Sequence, residues 1–472
     1  MLQHLIFWLT QKRWLLFALG VGTLLLFLPV PSSMESMRGE TMADPIKAYR
    51  TMIIVIMAII LIIFEPIPLP AVALMILFLQ VVLGIDGPNG VAQSFMNDAV
   101  FFIMGSLMLA VAIVSQGLDS RLALLIIRFT GNKTWRITLG FVGISAFLSS
   151  FIGEHTVTAM MMPVGLTLIH NTSTDRDKTR NLAALILFSI AYGSAMGSIG
   201  TPSGGGRNVI MIGYWQEFGF GDISYLGWMR YTYSMLLIEI PFAVAILWFT
   251  FRPTQKVLDS AVRKLRVQVA RKGAMTGQNI LAIIVFLIVF LGWVFLSKRM
   301  GLGIIALIGV FLYLVLGLIR WSDLNRNTNW GVILLFGAAV SIGLQMKETG
   351  AALWIANSAI DIMKLLSEDI SILRWLISVL LTGILTNLLS SSATVAVVGP
   401  IVLNMGGDPI VMAFSTAIAS AFSYLTVVAS PTCMIIHSSG LIQQSDYLKA
   451  GWKMFIMSII ILFIISKFWA VS

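Results

Sequence analysis

Long apolar runs are the feature that most constrains the fold of this chain. A bilayer core is crossed by roughly 20 apolar residues, and several runs approach or exceed that length, among them Trp14–Val30, Thr51–Phe64, Leu226–Thr250, Ile280–Phe295 and Gly301–Ile319. Only 11% of the 472 residues are charged, whereas soluble globular proteins carry about 25%. In hydrocarbon, backbone N–H and C=O groups must be paired within the protein, so such runs form helices. We therefore expect an all-α polytopic membrane protein.

The basic residues fit this membrane topology. The formal net charge of +10 is explained by the enrichment of Lys and Arg in cytoplasmic loops, so no nucleic-acid partner is expected. The densest basic stretch, Phe251–Gly273, is predicted to be cytoplasmic, as a solvated loop or a helix on anionic lipid. Lys12 and Arg13 lead straight into the first span without a cleavage site. The N-terminus is therefore placed in the cytoplasm and the protein in the inner or plasma membrane.

Two pairs of short apolar segments predict re-entrant hairpins. Ile137–Ser150 and Val157–Leu168 are separated by "SFIGEHT" and have basic loops on both sides. Ile372–Ile384 and Thr394–Leu403 are likewise joined by "LTNLLSSS". Each segment is shorter than the ~20 residues that a crossing needs. Non-helical backbone at that depth is tolerated only where it is buried in protein or lines a watery cavity, so we expect both hairpin tips in such a place.

The order of these features repeats in the two halves of the chain. After each hairpin comes a span broken by Gly or Pro. Each half has an odd number of crossings, so the halves are expected to face opposite ways and the C-terminus to be external. Paired broken helices in inverted repeats point to a secondary transporter's midplane site, and we predict about eleven spans plus two hairpins. The expected units are an N-terminal span and external loop (1–50), a first repeat (51–251) with its hairpin at 137–170 and broken helix at 182–215, a basic cytoplasmic linker (252–276), and a second repeat (277–472) with its hairpin at 372–405, broken helix at 409–440 and last span at 451–468.

The stretch "SIGTPSGGGRNVIMIGYW", residues 198–215, interrupts an apolar helix. Each backbone group left unpaired at that depth costs roughly several kcal/mol, a cost that is sustained if the groups bind something. The N-terminus of a half-helix attracts an anion, whereas exposed carbonyls and hydroxyls suit Na⁺. Arg207, at the start of the second half-helix, either serves the anion or pairs with a nearby carboxylate.

Polar residues at the two tips are candidates for ion and substrate binding. At the first tip, Gly153–Thr156, Glu154 is a candidate Na⁺ ligand or proton carrier, and His155 is a candidate anion contact. Alternatively, Glu154 and the arginine at 207 simply neutralise each other. At the second tip, Leu388–Ser392, the three serines offer hydroxyls to an anion or a cation, or ease hairpin packing as small residues.

With these motifs the chain resembles the divalent anion:sodium symporter family, from about Glu65 to Trp452. "EPIPLPAVALM" (65–75) is similar to that family's early "E-x-IPLP-x-x-A" turn, and "LTNLLSSSATVAVVGPI" (385–401) to its "TNFTSNTAT…LLPI" hairpin tip. "SPTCMIIHSSGLIQQSDYLKAG" (430–451) resembles its "TPPN…GSGYI…SDFLKAG" segment. The resemblance implies a homodimer in which a transport domain slides like an elevator against a scaffold domain.

The resemblance also assigns site residues. The family's Ser-Asn-Thr tips fall on Gly153–His155 and Ser390–Ser392, and its helix breaks fall on Gly204–Asn208 and Ser430–Cys433. Carried over residue by residue, the tips and breaks imply substrate contacts from His155, Thr156, Arg207, Asn208, Ser390, Ser391, Ser392, Ser430, Pro431 and Thr432, and Na⁺ ligands from Ser150, Glu154, Gly204, Asn387 and Ala429. The chain departs from the family where Glu154 and Ser391 replace the tip asparagines and where Arg207 replaces a proline.

The sequence therefore predicts a secondary-active transporter, not an enzyme, for a small divalent anion such as a C4-dicarboxylate or sulfate, coupled to Na⁺. Two alternatives stay open: Na⁺-independent anion exchange with Arg207 as the fixed countercharge, and proton-coupled symport through Glu154. An intramembrane hydrolase is disfavoured because the sequence offers no convincing nucleophile–base pair. Na⁺ is the expected coupling ion and no cofactor is expected. The expected partners are the anion, the lipid bilayer and a second copy of the chain.

Overall fold

The computed structural model describes residues 13–37, 44–64, 66–116, 130–172, 176–270, 275–365 and 370–469, and these residues fold almost entirely into helices. The expected all-α fold is confirmed. Of the predicted N-terminal unit and basic linker, residues 1–12, 38–43 and 271–274 lie outside the described part. The helices are α1 (Arg13–Phe27), α2 (Ser32–Glu35), α3 (Pro45–Phe64), α4 (Leu69–Val82), α5 (Pro88–Phe95), α6 (Asp98–Ser115), α7 (Thr134–Ile152), α8 (Glu154–Thr172), α9 (Arg176–Gly197), α10 (Gly206–Glu217), α11 (Tyr225–Phe251), α12 (Asp259–Ala270), α13 (Gly277–Met300), α14 (Leu302–Val315), α15 (Trp321–Asn327), α16 (Trp330–Glu348), α17 (Ala351–Lys364), α18 (Ser371–Leu385), α19 (Ser391–Asn404), α20 (Pro409–Ala419), α21 (Pro431–His437) and α22 (Gln444–Trp469).

Several of these helices have the length and composition of membrane spans. Within the described residues, seven helices are long and apolar enough to cross a bilayer: α3, α6, α7, α11, α13, α16 and α22. Shorter apolar helices of 10–17 residues accompany them, including α4, α14, α18 and α19. The chain is therefore a multi-pass membrane protein. The predicted number of about eleven spans, and the opposite orientation of the halves, stay predictions.

Each predicted hairpin is a pair of helices in contact with each other. In the first, α7 and α8 are joined by Gly153 alone, whose φ of +85° is readily adopted only by glycine. In the second, α18 and α19 are joined by residues 386–390. The arms of the first hairpin have 19 residues each, longer than the apolar runs that predict them, because the helices continue through flanking polar residues. Their length alone therefore does not exclude a crossing.

The two predicted helix breaks have the same local backbone structure. The first break, residues 198–205, separates α9 from α10, and the second, residues 420–430, separates α20 from α21. Each contains one 3₁₀ turn, Pro202–Gly204 or Val427–Ala429, followed by an extended residue that caps the next helix. The capping residues Gly205 (φ −166°, ψ 146°) and Ser430 (φ −153°, ψ 155°) have nearly the same backbone conformation.

The first half-helix of the first break lies at the centre of the molecule. From Leu182 to the end of α9, every residue is buried, and α9 contacts α7, α8 and α11. This burial explains why the segment is apolar all round rather than amphipathic. The predicted basic linker contributes α12, which packs on α8 through Leu258, Ala261 and Val262. The linker is thus attached to the first hairpin rather than fully solvated.

Candidate functional site

A cavity of about 530 Å³ brings together both hairpin tips, the first break and Pro431, which opens the helix after the second break. One side of it, here called the polar wall, consists of residues 153–155, 202–207, 390–392 and 431. Most of the remaining lining residues, here called the apolar wall, are aliphatic and aromatic side chains from α3, α4, α6 and α16, such as Ile76, Phe102 and Phe336. The volume falls within the ~300–1,000 Å³ typical of small-molecule sites. Small-molecule binding is therefore sterically feasible here.

Three helices begin at the polar wall. Glu154 and His155 open α8, Gly206 and Arg207 open α10, and Ser391 and Ser392 open α19, and all six residues line the cavity. Pro431, at the start of the short α21, lines it as well. The first N–H groups of a helix have no partner within the helix and carry partial positive charge. Three such ends meeting at one cavity form a site suited to an anion.

The only acidic and basic side chains among the lining residues, apart from His155, form an ion pair. Nη2 of Arg207 donates to Oε2 of Glu154 at 3.0 Å. The hydroxyl of Ser198 donates to the same carboxylate oxygen at 3.0 Å and is itself in contact with Nη2. Arg207 is 2% exposed, and its Nη2 also reaches the carbonyl of Ala195 at 3.4 Å. The two charges therefore cancel within the wall.

The two breaks are tied to their hairpins by equivalent hydrogen bonds. In the first half, the hydroxyl of Ser150 donates to the carbonyl of Gly197 at 2.8 Å, and that of Thr201 donates to the carbonyl of Ser150. In the second half, Nδ2 of Asn387 donates to the carbonyl of Phe422 at 3.0 Å, and the hydroxyl of Thr426 donates to the carbonyl of Asn387 at 3.2 Å. In both halves, side chains therefore supply hydrogen bonds to backbone carbonyls that the unwound helix leaves unpaired.

Asn387 is the most connected of the predicted Na⁺ ligands. Its amide also donates to the carbonyl of Gly383 at 2.7 Å, and its Oδ1 accepts the backbone N–H of Leu425 at 2.9 Å. One side chain therefore joins the second tip to the second break. Asn208 has a comparable place in the first half, donating to the carbonyls of Ser198 and Thr201 at 2.8 Å each, but its buried Oδ1 has no hydrogen-bond partner among the described residues.

The structure separates the predicted site residues into two groups. Those that line the cavity are His155, Arg207, Ser390, Ser391, Ser392 and Pro431 among the predicted substrate contacts, and Glu154 and Gly204 among the predicted Na⁺ ligands. Those that do not line the cavity are Thr156, Asn208, Ser430, Thr432, Ser150, Asn387 and Ala429. Within the second group, the hydroxyls of Ser430 and Thr432 are 2.6 Å apart. The ligand roles of both groups stay predictions.

The sequence interpretation did not single out three features of the site. The hydroxyl of Ser198 contacts both members of the ion pair. Its position at the start of the stretch at residues 198–215 could have indicated this role. Ser106 of α6 lines the apolar side with a buried hydroxyl that has no partner among the described residues, and nothing in its apolar helix marks it. Gly206 packs so closely on the second tip that an added Cβ would lie 2.8 Å from Oγ of Ser392. The first break therefore directly touches the second tip.

Comparison with known proteins gives consistent matches over most of the chain. Residues 10–471 match the family model described as "Sodium:sulfate symporter transmembrane region". The sodium-dependent high-affinity dicarboxylate transporter 3 of Caenorhabditis elegans is 26% identical over 436 residues, covering 82% of this chain and 77% of that protein. The sodium-dependent dicarboxylate transporter SdcS of Staphylococcus saprophyticus is 26% identical over 440 residues, covering 86% and 82%.

A solved structure shares the fold. The YdaH transporter of Alcanivorax borkumensis aligns with a TM-score of 0.53 over 84% of this chain and 88% of that chain. At 13% sequence identity this likeness concerns the architecture alone.

Proposed function

The chain belongs to the sodium:sulfate symporter transmembrane family, whose members are transporters and not enzymes, and we propose that it carries a small divalent anion across the membrane together with Na⁺. One observation carries the proposal: three helix N-termini, His155 and the serines of the second tip converge on one cavity whose charged side chains cancel. A C4-dicarboxylate is the preferred substrate because the relatives described above are named dicarboxylate transporters. Sulfate is the second choice, from the family's description.

The anion would be held mainly by uncharged groups. Each helix N-terminus contributes about 0.3–1 kcal/mol to a nearby negative charge, and up to ~2 kcal/mol where it is partly buried. Hydroxyls of Ser390 and Ser392 and the ring of His155 face the same cavity. In this arrangement Arg207 contributes its backbone N–H at the start of α10, while its guanidinium stays with Glu154.

Na⁺ would balance the charge of the anion. Because Arg207 is neutralised by Glu154, the polar wall offers no free countercharge, and this pairing argues against exchange that relies on Arg207 alone. Oxygen ligands suited to a hard cation lie in or beside the breaks, where there are backbone carbonyls and the Oδ1 of Asn208, which has no partner among the described residues. The predicted ligands Ser150, Asn387 and Ala429 stand in or beside the same breaks.

We further propose that the polar wall moves past the apolar wall as a unit, in the manner of an elevator, and that two copies of the chain assemble. The arrangement of the cavity supports the first point, because the tips and breaks form one wall and the helices α3, α4, α6 and α16 form the other. We also propose that the N-terminus lies in the cytoplasm and the C-terminus outside the cell.

Uptake into proteoliposomes tests this function directly. Labelled succinate and labelled sulfate are offered separately, with Na⁺, pH and internal anion varied one at a time. We expect concentrative uptake of succinate when an inward Na⁺ gradient is imposed at equal pH, and none when Na⁺ is absent from both sides. Flux that is unaffected by removing Na⁺ on both sides would refute sodium coupling and support exchange.

A serine variant tests the location of the site. Ser392→Ala removes a hydroxyl from the cavity, and a buried hydrogen bond to a charged group contributes about 1.5–3 kcal/mol, so the affinity for the anion should fall by about ten- to a hundredfold. Ser378→Ala is the matched control, because that buried hydroxyl donates within its own helix to Trp375. Equal affinities of the two variants would remove the second tip from the binding site.

A further inference from the structure

Glu239 is a buried carboxyl group that the proposed transport site does not use. It lies near the middle of α11, a candidate span of 27 residues, and is 1% exposed. Its Oε1 accepts hydrogen bonds from the hydroxyl of Ser458 on α22 and from Oη of Tyr424 at 3.4 Å. Its Oε2 has no hydrogen-bond partner in the described structure. Ionisable side chains inside a membrane are costly and mark functional sites by default.

Glu239 differs from the other buried acids in lacking a cation. Among the described residues, three carboxyl side chains are buried: Glu154, Glu239 and Asp446. Glu154 pairs with Arg207 at 3.0 Å, and Asp446 pairs with Lys449 at 3.1 Å. No Lys, Arg or His nitrogen of the described part forms an ion pair with Glu239. A lone ionised carboxylate in such a place costs several kcal/mol or more, so a proton is the simplest species that neutralises it.

The groups around Glu239 are phenols and hydroxyls rather than charges. α11 packs against α7, α9, α13, α20, α22 and the first 3₁₀ turn. Besides Tyr424, the titratable group that reaches this region is Tyr192 of α9, whose Oη donates to the carbonyl of Tyr424 at 3.3 Å. Arg230 and Arg252 lie more than two helical turns away along α11. The charged side chains described on the neighbouring helices have other contacts: Arg136 lies over Trp135, Arg180 and Lys449 pair with Asp446, Lys453 donates to Thr250, and Lys467 lies over Phe463. Lys298 and Arg299 lie in the last turn of α13.

Glu239 is connected to the second break through Tyr424. This tyrosine lies within the break, and the next residue, Leu425, donates its N–H to Asn387 of the second hairpin at 2.9 Å. The backbone there runs so close to α22 that a Cβ on Gly451 would overlap the carbonyl oxygen of Tyr424. A change in the charge of Glu239 would therefore act on Tyr424, and through it on the second break.

The helix that carries Glu239 contains a proline two residues after it. Pro241 lies inside α11 and has no N–H to donate to the carbonyl one turn earlier. Helices bend at such positions. The carboxyl group thus lies two residues from a position at which α11 can bend.

We propose that Glu239 is a proton-binding site that couples protonation to the second break during transport. A proton from water on one side forms an O–H bond at Oε2, and the bond breaks to return the proton to water on the other side, with no oxidation or reduction. The protonated carboxyl neutralises the site, whereas the ionised form draws the hydroxyls of Ser458 and Tyr424 toward it. The sequence suggested Glu154 as the proton carrier. Glu154, however, already has Arg207 as its cation, which leaves this role to Glu239.

Infrared spectroscopy tests the proton site without requiring transport. The purified protein in lipid is compared at two pH values, and the difference spectrum is examined for the C=O band of a protonated carboxyl group. We expect a titrating band in the wild type that is lost in Glu239→Gln and kept in Glu348→Gln, which alters an exposed glutamate at the end of α16. A spectrum of Glu239→Gln identical to that of the wild type overturns the proposal. A band removed by Na⁺ at constant pH also overturns it and assigns the group to Na⁺.

Transport tests the coupling, which rests on the proposed function. Proteoliposomes with equal Na⁺ on both sides receive a pH gradient, acidic outside, and labelled succinate. We expect uptake in the wild type and in Glu348→Gln, at least a tenfold loss in Glu239→Gln, and partial rescue with an altered pH profile in Glu239→Asp. Uptake driven by Na⁺ but insensitive to the pH gradient in the wild type overturns the coupling and leaves the proposed function intact. Absence of uptake under either gradient refutes the proposed function, and the infrared result then decides the proton site.

Discussion

The ion pair between Glu154 and Arg207 makes a quantitative prediction about stability. The two residues are 9% and 2% exposed, and one nitrogen atom, Nη2, makes all of the contacts of the guanidinium group described above. Glu154→Gln or Arg207→Gln therefore leaves one buried charge with neutral partners only. In both single variants Ser198 stays as a hydrogen-bond partner, because its hydroxyl contacts each member of the pair.

The expected sizes follow from these contacts. Removing one partner of a buried ion pair costs about 3–5 kcal/mol, and we expect about 3 kcal/mol for each single variant because Ser198 compensates in part. Combining both changes removes both charges and loses a charge-assisted hydrogen bond, which costs about 2 kcal/mol. The coupling free energy of the pair is then about 4 kcal/mol, within the 1.5–7 kcal/mol measured for close charged pairs.

Reversible unfolding in mixed micelles, titrated with dodecyl sulfate, measures these free energies for the four members of the cycle. The matched control is the pair Arg320–Asp323, which has the same 3.0 Å separation but side chains 83% and 45% exposed. Its coupling should stay under ~1 kcal/mol. A coupling for Glu154 and Arg207 as small as that of the control would refute the buried pair.

The same double variant separates two roles of Arg207. If the guanidinium only neutralises Glu154, then Arg207→Gln combined with Glu154→Gln should recover most of the wild-type uptake of succinate. We expect this recovery because Nη2 of the guanidinium group is held by Glu154, Ser198 and the carbonyl of Ala195. A double variant that folds but stays inactive would show that the positive charge serves the anion.

Three further predictions concern the hairpin tips and the helix breaks. Gly206→Ala should reduce uptake at least tenfold, since its Cβ would lie 2.8 Å from Oγ of Ser392 and 3.0 Å from the ring of Phe336, whereas Gly205→Ala, with its nearest contact at 3.5 Å, should be tolerated; equal uptake by both variants would contradict the close packing. Asn387→Ala should destabilise the protein by about 2–4 kcal/mol, because three hydrogen bonds are lost, whereas Asn404→Ala, which loses one bond within its own helix, should cost about 1 kcal/mol in the same unfolding assay. Thr156→Cys and Ser392→Cys, each made in a Cys433→Ser background, should be labelled by impermeant reagents from opposite faces of the membrane, and labelling of both from one face in every state would rule out inverted hairpins.

Much of the architecture could be predicted from the sequence because bilayer physics leaves few choices. An apolar run of sufficient length must be a helix in hydrocarbon, and a cluster of glycine and proline within such a run indicates an opened backbone. The all-α fold was therefore readable from the apolar runs, the breaks from "SIGTPSGGGRN" and "SPTCMIIHSSG", and the tips from "SFIGEHT" and "LTNLLSSS". The lengths of the first hairpin's arms were not, because helices continue into polar residues that hydropathy alone excludes.

Which side chains meet was decided only by the tertiary structure. Glu154 and Arg207 are 53 residues apart, and only the packing of α8, α9 and α10 around the first break brings them to 3.0 Å. The same packing leaves Glu239 without a cation among the described residues, whereas the sequence shows only that this acid lies within the apolar run Leu226–Thr250. Periodicity and composition determine the type of each element, since they reflect the local environment of a segment. The partner of a buried charge depends instead on how distant elements are placed, and that placement is set by the packing of the whole bundle.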